Sequence, residues 1–186
     1  MPQADYQLFQ KFLKAYLPIG YISIKRGDSL IVKIEEQLKT NKQFFYIADV
    51  LQMKVFFASA TSREMFGVNP EDVNLATFFQ RTHPKDQPRH NLARSKTLNS
   101  AQNLFIKKQG QIFQSSHFYQ KNTKGGYSDY FYQVKLFYAT EPYETVFVLL
   151  IITEAESFKI SSKGFHYYIG DDESMFRFPD QELLRI

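Results

Sequence analysis

Between Thr145 and Thr153 the chain carries seven consecutive apolar residues, Val146 to Ile152. The run is too short to cross a bilayer as a helix, which takes about 20 residues. Its β-branched side chains (Val146, Val148, Ile151, Ile152) suit a strand. Successive side chains of a strand point to opposite faces. Phe147, Leu149 and Ile151 therefore share one face, and Val146, Val148, Leu150 and Ile152 the other. A strand with one wet face alternates apolar with polar residues, and this one does not. It is expected at the centre of a sheet, and the rest of the chain must supply a cover for each side.

Two stretches before it offer one cover. Residues 5–17 carry Leu8, Phe9, Phe12, Leu13, Tyr16 and Leu17 at helical spacing, ended by Pro18-Ile19-Gly20. This helix is too apolar on one face to stand alone. Tyr21–Ile24 reads as a short extended piece. A second helix is expected over about 29–40, with Asp28 at its N-cap and Leu30, Ile31, Ile34 and Leu38 on one side. Phe44–Val50 and Lys54–Ser59 then read as a hairpin that turns at Leu51-Gln52-Met53. The first arm is apolar on both faces and is expected beside the opening strand.

From Ser62 the pattern shifts to short helices, which offer the other cover. Gly67 stops one, Asn69-Pro70-Glu71-Asp72 starts another, and a longer one is expected from Gln87 to about Leu98, with Pro88 in its first turn. Residues 112–122 and 127–139 flank the Gly-rich loop Thr123–Gly126 and form a second hairpin. In its second arm Tyr130, Tyr132, Val134, Leu136 and Tyr138 share one face, expected inward. Residues 164–170 read as one more short strand.

Composition narrows the chemistry. The 186 residues include no cysteine, which excludes disulfides, zinc–thiolate sites, iron–sulfur clusters and cysteine nucleophiles. The N-terminus lacks the basic-then-apolar pattern of a signal peptide, no run reaches membrane-spanning length, and the expected location is the cytoplasm. The net charge of +4 is modest for this length. The basic cluster Arg81, Lys85, Arg89, Arg94 and Lys96 is expected to be a solvated face. The 19 Phe and 12 Tyr suit a ring-lined interior.

Two strands, several short helices, one longer helix and three antiparallel strands is the element order of a PAS domain, and local sequence agrees. Arg63–Asp72 resembles the family's helical segment after the second strand. His83-Pro84-Lys85-Asp86 resembles its His-Pro-Asp-Asp before the long helix. Asn122–Tyr127 resembles its Lys-Asp-Gly hairpin, and Ile152-Thr153-Glu154 its closing Asp-Ile-Thr-Glu, with Ile in place of the acid. The flanks, including Met175–Leu184, resemble single-PAS, LuxR-type bacterial transcription regulators. The resemblance implies an α+β PAS fold: a five-stranded antiparallel sheet with short helices on one face and N-terminal helices on the other. It implies an N-terminal extension over 1–41, a PAS domain over 42–157, and a linker over 158–186 toward a possible output domain. Contact with DNA is expected only through a helix-turn-helix domain that this chain does not include.

By alternation, Ile47, Phe57, Phe66, Phe79, Tyr130, Tyr132, Phe147 and Leu149 are the expected ligand-pocket residues. Leu8, Phe9, Phe12, Leu13 and Tyr16 are expected to pack on the outer sheet face or in a homodimer. His83 is expected to cap the long helix. His90 lies where haem-binding PAS domains place an axial ligand, but a solvated helix position is expected. His117 and His166 show no metal spacing, so no metal is expected and haem is disfavoured. Cysteinyl-flavin photochemistry is excluded. Asp49, Asp86 and Asp129 are expected as turn, cap and surface residues, and no catalytic set is evident.

The expected function is a sensory or regulatory, non-enzymatic module that binds a small molecule, dimerises, or both, with no membrane partner. One alternative is an isomerase- or hydratase-type enzyme on a curved sheet, which needs an interior carboxylate or His of perturbed pKa and would be favoured by Asp49 or His117 in a deep cavity. The other is a purely scaffolding dimerisation domain with a solid interior.

Overall fold

The computed structural model describes residues 6–155 and 167–173. Helix α1 (Tyr6–Tyr16) runs into a single 3-10 turn, Leu17–Ile19, that stops at Gly20 (φ 60°). A Cβ at Gly20 would lie 2.9 Å from the Pro142 ring, so glycine is needed for contact as well as for backbone angle. Tyr21 and Ser23 take positive φ, so the expected extended piece at 21–24 is instead a turn. The turn tucks the Tyr21 ring wholly inside, with its edge 4.9 Å from Phe147, and its hydroxyl donates to the Leu13 carbonyl (3.2 Å). Helix α2 (Ser29–Asn41) starts after Asp28, whose carboxylate accepts from the Tyr16 hydroxyl (2.8 Å) rather than capping the helix.

The sheet is formed by β1 (Gln43–Asp49), β2 (Lys54–Ala58), β3 (Gln111–Lys121), β4 (Tyr127–Ala139), β5 (Thr145–Glu154) and β6 (Tyr167–Gly170). All pairings are antiparallel in the order β2-β1-β5-β4-β3-β6. The apolar run Thr145–Thr153 lies in β5, central as expected, with β1 at its side. The five expected strands become six because β6 adds to the free edge of β3, pairing Ser116 with Tyr167 through Phe113 with Gly170. Such an addition satisfies edge groups that would otherwise face water.

Between β2 and β3 the chain forms α3 (Thr61–Phe66), a 3-10 turn at Pro70–Asp72, α4 (Thr77–Gln80) and α5 (Gln87–Lys107). Helix α5 is nine residues longer than the sequence pattern suggests. Ala101 and Leu104 are buried, so tertiary packing carries the helix through the polar stretch that follows Leu98. At the β3–β4 turn the Asn122 side chain accepts from the Lys124 and Gly126 backbone N–H groups (3.0 and 3.1 Å).

Each face of β5 has its cover. Val146, Val148, Leu150 and Ile152 join the cluster under α3–α5, with Phe44, Tyr46, Phe118 and Tyr132. Phe147, Leu149 and Ile151 join a second cluster under α1 and α2, with Phe45, Ile47, Phe57 and Phe113. Phe12, fully buried, puts its ring edge-on to Phe45 at 5.2 Å and stacks on Tyr21 at 5.7 Å. Phe9, Phe12 and Leu13 are buried against this chain's own sheet, and Leu8 and Tyr16 pack at the margin. The layered α+β arrangement, with β5 central and helices inserted between the second and third strands, is a PAS fold.

Candidate functional site: a cavity between the long helix and the sheet

Two cross-strand rows make the floor of the site. One runs Tyr46–Leu150–Val134–Gln114, and the next contributes its paired Tyr132 and Ser116. The roof is one stripe of α5: His90, Ala93, Arg94 and Thr97, three or four residues apart and so on one helix face. Leu75, Phe78 and Phe79 from the α4 region close one side and Met53 another. Between floor and roof lies a cavity of about 100 Å³. This is of the order of the ~150 Å³ cavity that holds benzene, so it takes a molecule of a few heavy atoms.

His90 is the most constrained group in the roof. Its ring stacks on Phe118 at 4.4 Å and meets Tyr132 and Phe79 edge-on at 5.6 and 5.5 Å. Its Nδ1 lies 2.6 Å from the Thr82 hydroxyl. That hydroxyl donates its one proton to the Phe78 carbonyl (2.9 Å) and accepts from Gln120 Nε2 (2.8 Å). The oxygen therefore accepts from His90 Nδ1–H as well, which leaves Nε2 as the ring's acceptor. Burial pushes the His90 pKa down to about 4, with Arg94 adding to the effect and Asp86 opposing it. At neutral pH the imidazole carries no charge.

The other polar groups differ in how well they are satisfied. Gln114 Oε1 accepts from the Thr97 hydroxyl (2.6 Å). The Tyr132 hydroxyl is buried with no hydrogen-bond partner among the described residues. Burial drives its pKa well above the usual phenol range, so it stays protonated as a donor. Arg94 is half-buried, with its guanidinium carbon 4.7 Å from the centre of the Phe79 ring. Among the described residues it has no acidic partner.

Of the eight residues expected to line the pocket, Phe79 and Tyr132 do so. Phe66 and Tyr130 lie on the same side of the sheet but pack in the neighbouring core, 4.9 Å apart. Ile47, Phe57, Phe147 and Leu149 are on the opposite face, under α1 and α2, and their assignment is corrected. The strand period separates the two faces but does not say which one meets the inserted helices. His90 is likewise buried rather than solvated, and Arg94 is half-buried; both line the cavity. Their i, i+4 spacing with Ala93 and Thr97 was the available signal, masked by the polar character of α5.

The remaining candidates have structural work. His83 anchors the turn before α5: its backbone N–H donates to the Tyr119 carbonyl (2.8 Å) and its Nδ1 accepts from Lys85 N–H (3.2 Å). Asp49 is buried and accepts from Gln52 N–H, the Thr145 hydroxyl and the Tyr143 hydroxyl, at 2.8, 2.8 and 3.1 Å, fastening the β1–β2 turn to the start of β5. Asp86 is also buried, accepting from Tyr119 N–H (2.9 Å) and pairing with Arg89. Asp49, Asp86 and His117 do not line the cavity. His166 lies outside the described residues, as do Met175–Leu184. Among the described residues no group of three or more His, Asp or Glu is placed to hold a metal, and no helix is long and apolar enough to cross a membrane.

No protein-family model matches the chain, and no curated protein matches it. Several solved structures are similar. The N-terminal domain of a diguanylate cyclase with PAS/PAC sensor from Marinobacter aquaeolei is 10% identical, over 60% of this chain and 94% of that one, at a TM-score of 0.39. The PAS-B domain of Drosophila melanogaster Cycle with bound ethylene glycol is 11% identical, over 60% and 98%, at 0.40. An RNA-binding Light-Oxygen-Voltage receptor is 14% identical at 0.40, over 61% of this chain and 28% of the receptor. The fold assignment rests on the strand order and the two layers described above.

Proposed function

We propose that the chain is a non-enzymatic sensory or regulatory module that takes a small molecule into the cavity under α5. The observation that carries this reading is the Tyr132 hydroxyl: a buried donor without a partner, in the lining of a space large enough for a few atoms. A buried polar group left unpaired costs about 1–3 kcal/mol, and a ligand or water that accepts from it recovers that. An enzyme of the isomerase or hydratase type needs an interior carboxylate or a histidine tuned to act near neutral pH; among the described residues the cavity lining contains no carboxylate, and burial holds its one histidine, His90, down at about 4, too weak a base for that role.

In this reading residues 42–157 are the sensing unit, 1–41 its cover and 158–186 its exit toward an output. A ligand shifts the module only if it binds one arrangement better than another. The route outward starts at α5 and the floor strands. β6 lies on the edge of β3, and Glu173 just beyond it accepts from the Tyr6 hydroxyl (2.7 Å) and Gln10 Nε2 (3.3 Å) of α1. The C-terminal exit and the N-terminal cover therefore meet. Homodimerisation is a further part of the proposal, and it does not require the outer sheet face, which this chain's own helices occupy.

The test fills the cavity. Ala93 lies in the roof and is buried. Ala93→Met places extra atoms in the space at a cost below that of overpacking a solid core, ~1–3 kcal/mol. A library of small fragments is expected to raise the melting temperature of the wild type and to leave Ala93→Met unmoved. Equal shifts in both proteins would contradict the reading.

A further inference from the structure

We infer that the molecule admitted by this cavity is a short-chain carboxylate, its anionic end on Arg94 and its hydrocarbon end on the sheet. The inference rests on the small-molecule reading above and adds the chemistry.

Three observations converge. The first is an unneutralised cation in the wall: Arg94 has no acidic partner among the described residues. The Phe79 ring holds its guanidinium in place. Arg94, the Tyr46 phenol and the His90 imidazole line the same space. A planar guanidinium offers paired N–H donors that match a carboxylate. The second is the Tyr132 hydroxyl, a buried donor without an acceptor among the described residues, in the same lining as the Tyr46 phenol. A second carboxylate oxygen would accept from it. The third is the remainder of the lining. Leu75, Phe78, Val134, Val148 and Leu150 offer apolar surface that an inorganic anion does not use. At about 100 Å³ the space limits the chain to a few carbons.

The test titrates butyrate into the full chain by calorimetry, with butyramide and inorganic phosphate in parallel. Butyrate is expected to bind at least ten-fold more tightly than either: the amide lacks the charge and phosphate lacks the tail. Arg94→Gln should weaken butyrate by about 10- to 100-fold, the worth of a charged hydrogen bond, and leave butyramide unchanged. Tyr132→Phe should weaken butyrate by roughly 2- to 10-fold while raising the melting temperature of the ligand-free protein. A merely structural hydroxyl would lower that temperature. If butyramide binds as well as butyrate, or Arg94→Gln has no effect, the carboxylate assignment fails and the cavity reading stands. If none of the three probes binds, the assignment also fails, and the fragment shifts lost in Ala93→Met then decide the cavity reading alone.

Discussion

His90 and Asp129 titrate in opposite directions, and together they shape the pH response. His90 is held neutral down to about 4 by burial, against an ordinary value of 6.5. The unfolded chain protonates it first, so its contribution to stability is full above 6.5 and lost as pH falls through 4, ~3 kcal/mol for the whole shift. Asp129 is pushed up to about 6 by burial, with Asp86 adding repulsion, against an ordinary 3.8. One of its carboxylate oxygens is buried without a hydrogen-bond partner among the described residues. Its contribution is full below 3.8 and lost as pH rises through 6. Between 4 and 6 the two slopes oppose each other and the sum is nearly flat. Asp129→Asn removes one of them. The variant is expected to be more stable than wild type at pH 7 by about 1–2 kcal/mol after solvent screening. It should then lose stability steadily from pH 6.5 to 4. Urea unfolding across that range measures both, and a variant with the wild-type pH slope would refute the assignment.

Among the elements, α1 shows best what was legible. Its spacing of Leu8, Phe9, Phe12, Leu13 and Tyr16 identifies the helix and its apolar face, and these residues meet the outer sheet as expected. The stripe does not grade its members. Phe12 is wholly buried against Phe45, Phe57 and Tyr21, whereas Leu8 is only partly covered. Phe12→Ala is expected to cost ~3–5 kcal/mol in denaturant unfolding and Leu8→Ala less than ~1.5 kcal/mol. Equal costs would mean that α1 does not sit as described. Helix α5 was the least legible element. Its exposed and buried faces are both largely polar, because its roof stripe is His90, Ala93, Arg94 and Thr97 rather than Leu and Phe. A helix whose buried stripe is largely polar gives a weak amphipathic signal, and that weakness concealed both its length and its part in the site.

For the whole molecule, the two faces of β5 divide the protein into a packed side and a hollow one. On the packed side Phe147, Leu149 and Ile151 carry the N-terminal cover; on the hollow side Val148 and Leu150 line the cavity. Alternation along one strand makes this division visible in the sequence, since every second residue turns the same way. It leaves the two sides interchangeable, because a period of two has no third direction. Only the packing of residues 61–107 over Val148 and Leu150 resolves it. The central claim is that the hollow side, and not the packed one, admits a small molecule. Xenon tests this without reference to ligand chemistry, because it enters apolar space regardless of charge. In methyl NMR spectra under xenon pressure, the Val148 and Leu150 resonances should shift while those of Leu149 and Ile151 stay in place. Shifts on Leu149 and Ile151, or none on Val148 and Leu150, would contradict the account.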